Sequence, residues 1–329
     1  MQAAVLSAHP PELEVVELPE PDPGPGEVGL RVTGCGICGS DLHVAANIGG
    51  PGTVLGHEIA GVVDELGSDV TGVRVGDVVA VRPLVGCGVC QYCRAGRQDH
   101  CAKFALIGMQ RPGGFAQRTT ASAAELFGLP SGVRPQDHAV IEPFAVARRA
   151  LRRVAVTPGE FVIVLGAGPI GLAITHWARA LGAGKIVVSD PLAHRRALAL
   201  ELGADAAVEP GEVADAAGDG APVVVECTGK PRLLDHAMQL AAVDGRVGVV
   251  GVCMAHDSFL PWWGLNKELD IRFSLYYGRD DFTDTIEAFD DGRLRPDGLV
   301  TETIDLAALP ERFARLASDS DAGKVIVTP

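Results

Sequence analysis

Cysteine, histidine and carboxylate residues that could bind a metal ion lie close together in the first third of the chain. The stretch TGCGICGSDLH places Cys35 and Cys38 in a C-x-x-C spacing, and His57 follows in the sequence GHE. The spacing alone is typical of a redox pair, of two ligands of one metal, or of one functional cysteine beside a neighbour without a role. An open zinc site needs three protein ligands and a free fourth position. Cys38, His57 and a carboxylate elsewhere are therefore the first candidate centre.

Four further cysteines form a second candidate centre. Their spacing, C-x2-C-x2-C-x7-C, lets four thiolates surround one tetrahedral Zn²⁺ without an open position. Such a closed site folds a loop and carries out no reaction. An iron–sulfur cluster is the competing interpretation of these ligands, and a zinc ribbon would need two separated pairs. We predict a structural zinc ion bound by Cys87, Cys90, Cys93 and Cys101.

A glycine-rich segment, GAGPIG, follows an apolar strand and opens a helix, as in dinucleotide-binding domains. Gly166 allows the tight turn, Gly168 lets the backbone approach a pyrophosphate, and Gly171 lets the helix pack close to the strand. The helix N-terminus offers unpaired N–H groups to the phosphates. A loop that serves only packing is the alternative. The predicted contacts of this loop are Gly166, Gly168, Pro169, Ile170 and Gly171.

The preference for NAD over NADP is predicted from an acidic residue. Asp190 lies nineteen residues beyond Gly171, at the end of KIVVSD. Its carboxylate can accept hydrogen bonds from the adenosine ribose and would repel a 2′-phosphate. Arg195 leaves the alternative open, because an arginine nearby can accommodate that phosphate.

Composition limits the classes of partner. The chain has 329 residues, of which 47% are hydrophobic and 21% charged, and a formal net charge of −14. Without a basic cluster, nucleic acid and anionic membranes are not expected partners. No apolar run is long enough to span a bilayer, and the first residues lack a secretory pattern. We expect a cytoplasmic protein whose cysteines bind metal or remain free thiols.

The pattern of apolar residues changes along the chain. Short β-like runs with Gly and Asp turns extend from Gly24 to about Leu129 and predict a compact β-rich domain. From about Phe161, strands alternate with helical patterns, which is typical of a parallel doubly wound sheet. Two amphipathic helices and a last strand, GKVIVTP, follow Gly278. The arginine pairs near residues 148–153 are expected to form a solvated helix face.

Together these motifs resemble the zinc-dependent medium-chain alcohol dehydrogenases, in particular their sorbitol, threonine and butanediol dehydrogenase branch. The resemblance covers essentially the whole chain, through GICGSDLH, GHEIAGVV, the cysteine quartet, GGFA, IEPFAVARRAL, VLGAGPIG, VVVECTG and GKVIV. It implies an α/β fold with two domains. A GroES-like β-rich catalytic domain would comprise residues 1–146 and 278–329, and a Rossmann domain residues 147–277.

The resemblance also implies roles for single residues. The catalytic zinc would be bound by Cys38, His57 and Glu142, with Glu58 able to approach the metal. A cap in the first helical turn is the alternative for Glu142. Asp41 would orient His57. The remaining implied roles are a proton relay of Ser40 and His43, coenzyme contacts of Thr228 and Val250, and a phosphate contact of Lys324.

The expected function is reversible transfer of hydride between an alcohol, secondary or polyol-like, and NAD, with two zinc ions per chain. The family suggests a homodimer or homotetramer. One rival is an NADPH-preferring carbonyl reductase of a biosynthetic pathway, and another is a non-catalytic zinc- and nucleotide-binding redox sensor. The sorbitol-type branch often has a tyrosine where this chain has Val44, which leaves bulkier or more apolar alcohols open.

Overall fold

The computed structural model describes residues 1–316 and 323–329. The chain divides into two compact units. The first comprises Met1–Glu142 and Val300–Pro329, and the second comprises Pro143–Leu299. Among the described residues, no helix is both long and apolar enough to cross a membrane.

Seventeen strands are present in the described part of the chain. They are β1 Gln2–Leu6, β2 Leu13–Glu17, β3 Glu27–Gly36, β4 Glu58–Leu66, β5 Val78–Val81, β6 Leu84–Val85, β7 Ala105–Leu106, β8 Arg118–Ser122, β9 Leu126–Gly128, β10 Phe161–Leu165, β11 Lys185–Ser189, β12 Ala206–Val208, β13 Ala221–Glu226, β14 Ala241–Val249, β15 Asp270–Phe273, β16 Val300–Asp305 and β17 Lys324–Thr328.

Ten α-helices accompany these strands among the described residues. They are α1 Gly39–Asn47, α2 Gln91–Arg94, α3 Ile141–Arg153, α4 Pro169–Ala180, α5 Ala193–Glu201, α6 Val213–Ala217, α7 Leu233–Leu240, α8 Pro261–Lys267, α9 Arg279–Asp290 and α10 Leu309–Leu316. The second of the two helices predicted near the C-terminus is described as far as Leu316, and residues 317–322 lie outside the described part.

The first unit is built on a seven-stranded sheet. Its strands follow the order β16-β17-β3-β4-β5-β9, and β8 pairs with β3 as well. Strand β3 is long, and in its middle the exposed Arg31 and Thr33 alternate with buried residues, as expected for a sheet with one face on the core. Apolar residues from β1, β3, β4, β5 and β17 form one core with Phe115. This is the β-rich domain that the sequence predicts.

The second unit contains a six-stranded parallel sheet in the order β12-β11-β10-β13-β14-β15. The valine-rich strands β10, β11 and β13 are buried almost throughout, because a parallel sheet of this type is covered on both faces. The strand order reverses between β10 and β13. Ligands of doubly wound sheets bind at the carboxyl ends of the strands beside such a reversal.

The domain boundaries differ from the predicted ones, because α9 belongs to the second unit. The chain leaves the first unit after Glu142 and returns to it at Val300 rather than at 278. Phe289 of α9 packs edge-on against Phe144 of α3, with ring centroids 5.1 Å apart. An amphipathic pattern identifies a helix but does not show which core its apolar face covers.

Ion pairs between α3 and α9 correct the expected solvated arginine face. Arg148 donates from Nε to Oδ2 of Asp284 over 3.0 Å, and Arg152 donates from Nη2 to Oδ2 of Asp281 over 2.7 Å. Asp281 is fully buried. The two arginines therefore attach α9 to the second unit.

A half-buried histidine of the second unit, His176, is held in its neutral form by its hydrogen-bond partners. The backbone N–H of Arg295 donates to Nε2 of His176 over 2.9 Å, and Nδ1 lies 3.1 Å from the carbonyl oxygen of Leu202. The ring must therefore be neutral with its proton on Nδ1. Burial lowers the pKa of His176 below its usual value, and the contact with Leu202 opposes this only in part.

We expect the free energy of unfolding to fall less between pH 8 and pH 5 in His176→Gln than in the unaltered protein. The pKa of His176 is lower in the folded than in the unfolded protein, so its contribution is complete above the unfolded pKa of about 6.5 and is lost as pH falls below it. Denaturant unfolding at pH 8 and pH 5, followed by fluorescence of the three tryptophans, all in the second unit, measures this. Equal pH dependence in both proteins would contradict it.

Candidate active site and metal centres

Cys38 lies where β3 gives way to α1. Strand β3 ends at Gly36, the N–H of Ile37 donates to the carbonyl oxygen of Val325 over 3.0 Å, and Cys38 is the N-cap of α1. A thiolate at a helix N-terminus is stabilised by the helix dipole. Cys38 is half-buried, so that its sulfur is available to a ligand.

The carboxylate of Asp41 joins the segments that carry Cys38 and His57. Its Oδ2 accepts from the backbone N–H of Cys38 over 2.9 Å. Its Oδ1 lies 3.1 Å from Nδ1 of His57 and accepts from the backbone N–H of Gly56 over 3.4 Å. Asp41 itself is 1% exposed. Hydrogen bonds to a buried carboxylate are among the strong ones, so the two segments are held in one arrangement.

His57 is oriented for a role as a metal ligand. Its Nδ1 is held by Asp41, so in the neutral ring the proton lies on that nitrogen and Nε2 carries the lone pair. Histidine ligands usually have such a carboxylate behind them. Burial lowers the pKa of His57, but the charge of Asp41, its hydrogen bond and the contact with Cys38 more than compensate and raise the pKa well above its ordinary value.

Three potential ligand atoms come together here. Atoms of Cys38, His57 and Glu58 all lie within 4.8 Å of one another. Sulfur, imidazole nitrogen and carboxylate oxygen are the donors that zinc binds. Three protein donors leave the fourth position that a catalytic zinc requires, so the residues present fit the metal.

Glu58 is at the same time engaged by Lys324. The Nζ of Lys324 donates to both carboxylate oxygens of Glu58 over 2.5 and 2.6 Å and to the carbonyl oxygen of Ile37 over 3.1 Å. Burial lowers the pKa of Lys324, but the charge of Glu58 outweighs this effect and the pKa is raised. A Cβ on Gly36 would overlap Oε2 of Glu58. The contact of Lys324 with coenzyme phosphates stays a prediction.

Glu142 lies near this cluster but outside the three residues grouped above. It occupies the first turn of α3 and is 8% exposed. Its negative charge also contributes to the raised pKa of Lys324. Two carboxylates, Glu58 and Glu142, are therefore candidates for the third ligand.

Cys35 belongs to neither group of potential ligands among the described residues. Its side chain is fully buried, and burial raises the pKa of the thiol well above its usual value. A Cβ on Gly56 or on Gly114 would come within 2.8 Å of its sulfur. The thiol therefore packs closely against the backbone of Gly56, the residue before His57, and of Gly114.

The cysteine quartet forms a compact cluster. The sulfur atoms of its four residues all lie within 4.8 Å of one another. The backbone N–H of Cys93 donates to the sulfur of Cys90, and that of Cys87 to the sulfur of Cys101, each over 3.4 Å. Backbone N–H groups lower the pKa of Cys87 to about 6. Four thiol donors in this arrangement fit one closed zinc site.

The loop that carries the quartet bonds to a buried ion pair elsewhere in the first unit. Arg82 is 1% exposed and donates from Nε to Oε2 of Glu125 over 2.7 Å. Gln98, within the quartet loop, donates to the other oxygen of Glu125 over 3.3 Å.

The predicted proton relay lies on α1. Ser40 is exposed, with its Oγ 3.4 Å from Nε2 of His57, and His43 is half-buried one turn later. Asn47 donates from Nδ2 to the carbonyl oxygen of His43 over 2.9 Å. Helical spacing brings Ser40 and His43 to neighbouring positions on one face.

The glycine-rich loop of the second unit has the geometry that a pyrophosphate requires. Gly166 has a φ of 97°, and a Cβ on Gly171 would overlap the carbonyl oxygen of Gly166. A Cβ on Gly168 would meet no atom within 4 Å, so the space beside it is open. Pro169 and Ile170 form the first turn of α4 behind this space. The residues present therefore fit a dinucleotide.

Asp190 holds the same loop together. Its Oδ2 accepts from the N–H of Ala167 over 2.8 Å and its Oδ1 from that of Leu192 over 2.9 Å. Arg196 donates to the carbonyl oxygens of Asp190 and Pro191, and a contact of Arg195 with the coenzyme stays a prediction. The sequence analysis did not single out Arg196; it lies one helical turn beyond Leu192.

Thr228 and Val250 lie in loops after β13 and β14. Both loops are bonded to Glu226, a buried carboxylate that the sequence analysis did not identify. The signal that could have found it is an acidic residue at the end of the otherwise apolar strand APVVVE.

Comparisons with known proteins decide the family. The alcohol dehydrogenase GroES-like domain matches residues 24–131, and the zinc-binding dehydrogenase domain matches residues 169–291. L-galactonate-5-dehydrogenase of Escherichia coli K12 is 32% identical over 94% of this chain and 94% of its own length. The chain belongs to the zinc-binding medium-chain dehydrogenase family. The predicted resemblance is thereby confirmed.

Solved structures confirm the fold of this dehydrogenase. An alcohol dehydrogenase from E. coli CFT073 complexed with NADH has a TM-score of 0.94 and 30% identity, covering 100% of this chain and 99% of that chain. A zinc-binding dehydrogenase from Sinorhizobium meliloti 1021 bound to NADP has a TM-score of 0.93 and 29% identity, with the same coverage. Relatives with this fold thus bind either nicotinamide coenzyme.

We expect Asp41→Ala to weaken metal binding at the Cys38–His57 centre by about 10- to 100-fold, because His57 loses the partner that fixes its proton. Chelator competition and zinc counting measure this. Asp77→Ala is the matched control, since Asp77 lies in the same unit and its Oδ2 accepts from the backbone N–H of Arg74 over 2.8 Å. Unchanged zinc affinity in the Asp41 variant would contradict the role of Asp41.

We expect Cys90→Ser to reduce the zinc content by one ion per chain and to lower the stability of the first unit, because a closed site needs all four thiolates. Elemental analysis and thermal unfolding test this. Cys253→Ser, at an exposed cysteine, should change neither. Full zinc content in Cys90→Ser would show that the quartet does not bind the ion.

Proposed function

We propose that the protein is an alcohol dehydrogenase that transfers hydride reversibly between an alcohol and NAD. The observation that carries the proposal is the arrangement of Cys38 and His57, whose ligand atoms lie within 4.8 Å of each other, with Asp41 bonded to Nδ1 of His57. When bound, zinc supplies a Lewis acid for the alcohol oxygen, and NAD accepts the hydride. The family of the chain supports the same reaction class.

The third ligand of the catalytic zinc is Glu142 in this proposal. Glu58 is the nearer carboxylate, but both its oxygens accept from Lys324, and a carboxylate neutralised by an ammonium group is a weak metal ligand. The charge of Glu142 contributes to the raised pKa of Lys324, which supports a position of Glu142 close to Cys38, His57 and Glu58. Lys324 therefore holds Glu58 back from the metal.

The proton of the alcohol leaves through Ser40 and His43. Ser40 is exposed, and its Oγ lies 3.4 Å from His57 Nε2, the nitrogen that would bind the metal. His43 follows one turn later on α1 and is half-buried. In this relay Ser40 passes the proton through the nicotinamide ribose to His43.

NAD is the proposed coenzyme, because the carboxylate of Asp190 lies against the glycine-rich loop. There it would accept from the ribose hydroxyls of NAD and repel the 2′-phosphate of NADP. The loop contacts are Gly166, Gly168, Pro169, Ile170 and Gly171, with Thr228 and Val250 in the neighbouring loops. Two zinc ions per chain, a homodimer or homotetramer and a cytoplasmic location complete the proposal. The substrate class is a secondary or polyol-like alcohol, and the relative that acts on L-galactonate at carbon 5 supports it.

An alcohol panel with NADH production as readout tests the proposal. The unaltered protein should hold two zinc ions and oxidise at least one secondary or polyol alcohol. Cys38→Ser should retain one zinc and lose activity, whereas Cys35→Ser should retain both zinc ions and the activity. Zinc loss from Cys35→Ser would mean that C-x-x-C acts as a ligand pair.

The same assay separates the rival functions. A carbonyl reductase would use NADP more than about tenfold better than NAD, which would remove the support that Asp190 gives to NAD. A redox sensor would bind nucleotide without turnover of any alcohol, and Cys38→Ser would leave that binding intact.

A further inference from the structure

A buried carboxylate lies where the strand order of the second unit reverses. Glu226 is the last residue of β13 and is 3% exposed. It pairs in register with Leu165, the residue before Gly166. This is the pair of strands beside which a doubly wound sheet binds its ligand. Burial of a carboxylate is costly unless hydrogen bonds compensate for the lost water.

One oxygen of Glu226 collects three donors. Its Oε1 accepts from the N–H of Thr228 over 2.6 Å, from Oγ1 of Thr228 over 2.7 Å and from the N–H of Gly229 over 2.9 Å. The carbonyl oxygen of Glu226 accepts from the N–H groups of Val250 and Gly251 over 2.9 and 3.1 Å. A single residue therefore joins the loops after β13 and β14.

These loops pack against each other and against the glycine-rich loop without spare room. A Cβ on Gly166 would lie 2.5 Å from Cγ2 of Thr228, and one on Gly251 would lie 2.6 Å from Oε2 of Glu226. The position of Thr228 relative to Gly166 thus depends on the turn that Glu226 closes. Without the carboxylate, two N–H groups and a hydroxyl lose their common acceptor.

We propose that Glu226 is a positioning residue for the coenzyme. Its carboxylate holds the turn 227–229 by hydrogen bonds and packs against Gly251 in the loop after β14, so that both loops have the coenzyme-binding form before the coenzyme arrives. The proposal rests on the proposed function, because Thr228 and Val250 are coenzyme contacts only in a dehydrogenase. Ordering these loops in advance removes an entropic cost from binding.

The test uses Glu226→Ala, Glu226→Gln and a matched control, Asp205→Ala. Asp205 also accepts from a backbone N–H of this sheet, that of Ile186 over 2.7 Å, but at the amino ends of the strands. The readouts are the NADH dissociation constant by fluorescence, KM for coenzyme and for alcohol, and hydrogen exchange of residues 227–229 and 250–252 without coenzyme.

Glu226→Ala should weaken NADH binding and raise the KM for coenzyme about tenfold, with the KM for alcohol unchanged and faster exchange confined to the two loops. Glu226→Gln keeps an acceptor and should restore most of the affinity, and it decides the test if the alanine variant does not fold. Asp205→Ala should lower stability and leave NADH binding unchanged.

Equal NADH affinity in Glu226→Ala and the unaltered enzyme would overturn the inference, and so would an equal loss in Asp205→Ala. If the unaltered protein neither binds NADH nor oxidises an alcohol, the proposed function fails and the inference fails with it. If the unaltered protein is active and Glu226→Ala binds NADH with the same affinity, only the inference about Glu226 fails.

Discussion

The hydrogen bonds of Asp41 are the interaction on which the candidate active site depends. Cys38 begins a helix, and His57 ends an irregular segment nineteen residues later. Neither secondary structure nor sheet pairing alone sets the distance between their ligand atoms. One buried carboxylate bonds to the backbone of both segments and to the imidazole. Because it is buried, it has no water to exchange for these partners, and the arrangement is fixed without the metal.

The two candidate metal centres differ in which parts of the chain supply their ligands. The quartet takes all its donors from one loop, so it can close around an ion and needs only an anchor, which Arg82, Glu125 and Gln98 provide. The Cys38–His57 centre takes donors from separate elements of the first unit. Two carboxylates, Glu58 and Glu142, are candidates for its third ligand, and the fourth position is left for the substrate.

Much of this could be predicted from the sequence. The quartet, the glycine-rich loop and the strand–helix alternation are local patterns, and local spacing determines their geometry. The pairing of Lys324 with Glu58 joins residues 266 positions apart, and no local pattern contains such a contact. The place of α9 and the role of Glu226 likewise depend on which surfaces meet after folding. The asymmetry of C-x-x-C, with Cys38 at a helix start and Cys35 in the core, is also a result of tertiary structure.

Crystals of the zinc-loaded protein, with anomalous diffraction recorded at the zinc edge, test the central claim most directly. The account predicts two zinc peaks per chain. One should lie among the four sulfur atoms of the quartet, and the other should contact Cys38 Sγ, His57 Nε2 and an oxygen of Glu142. A second peak on Cys35, or on Nδ1 of His57 with Asp41 displaced, would contradict it.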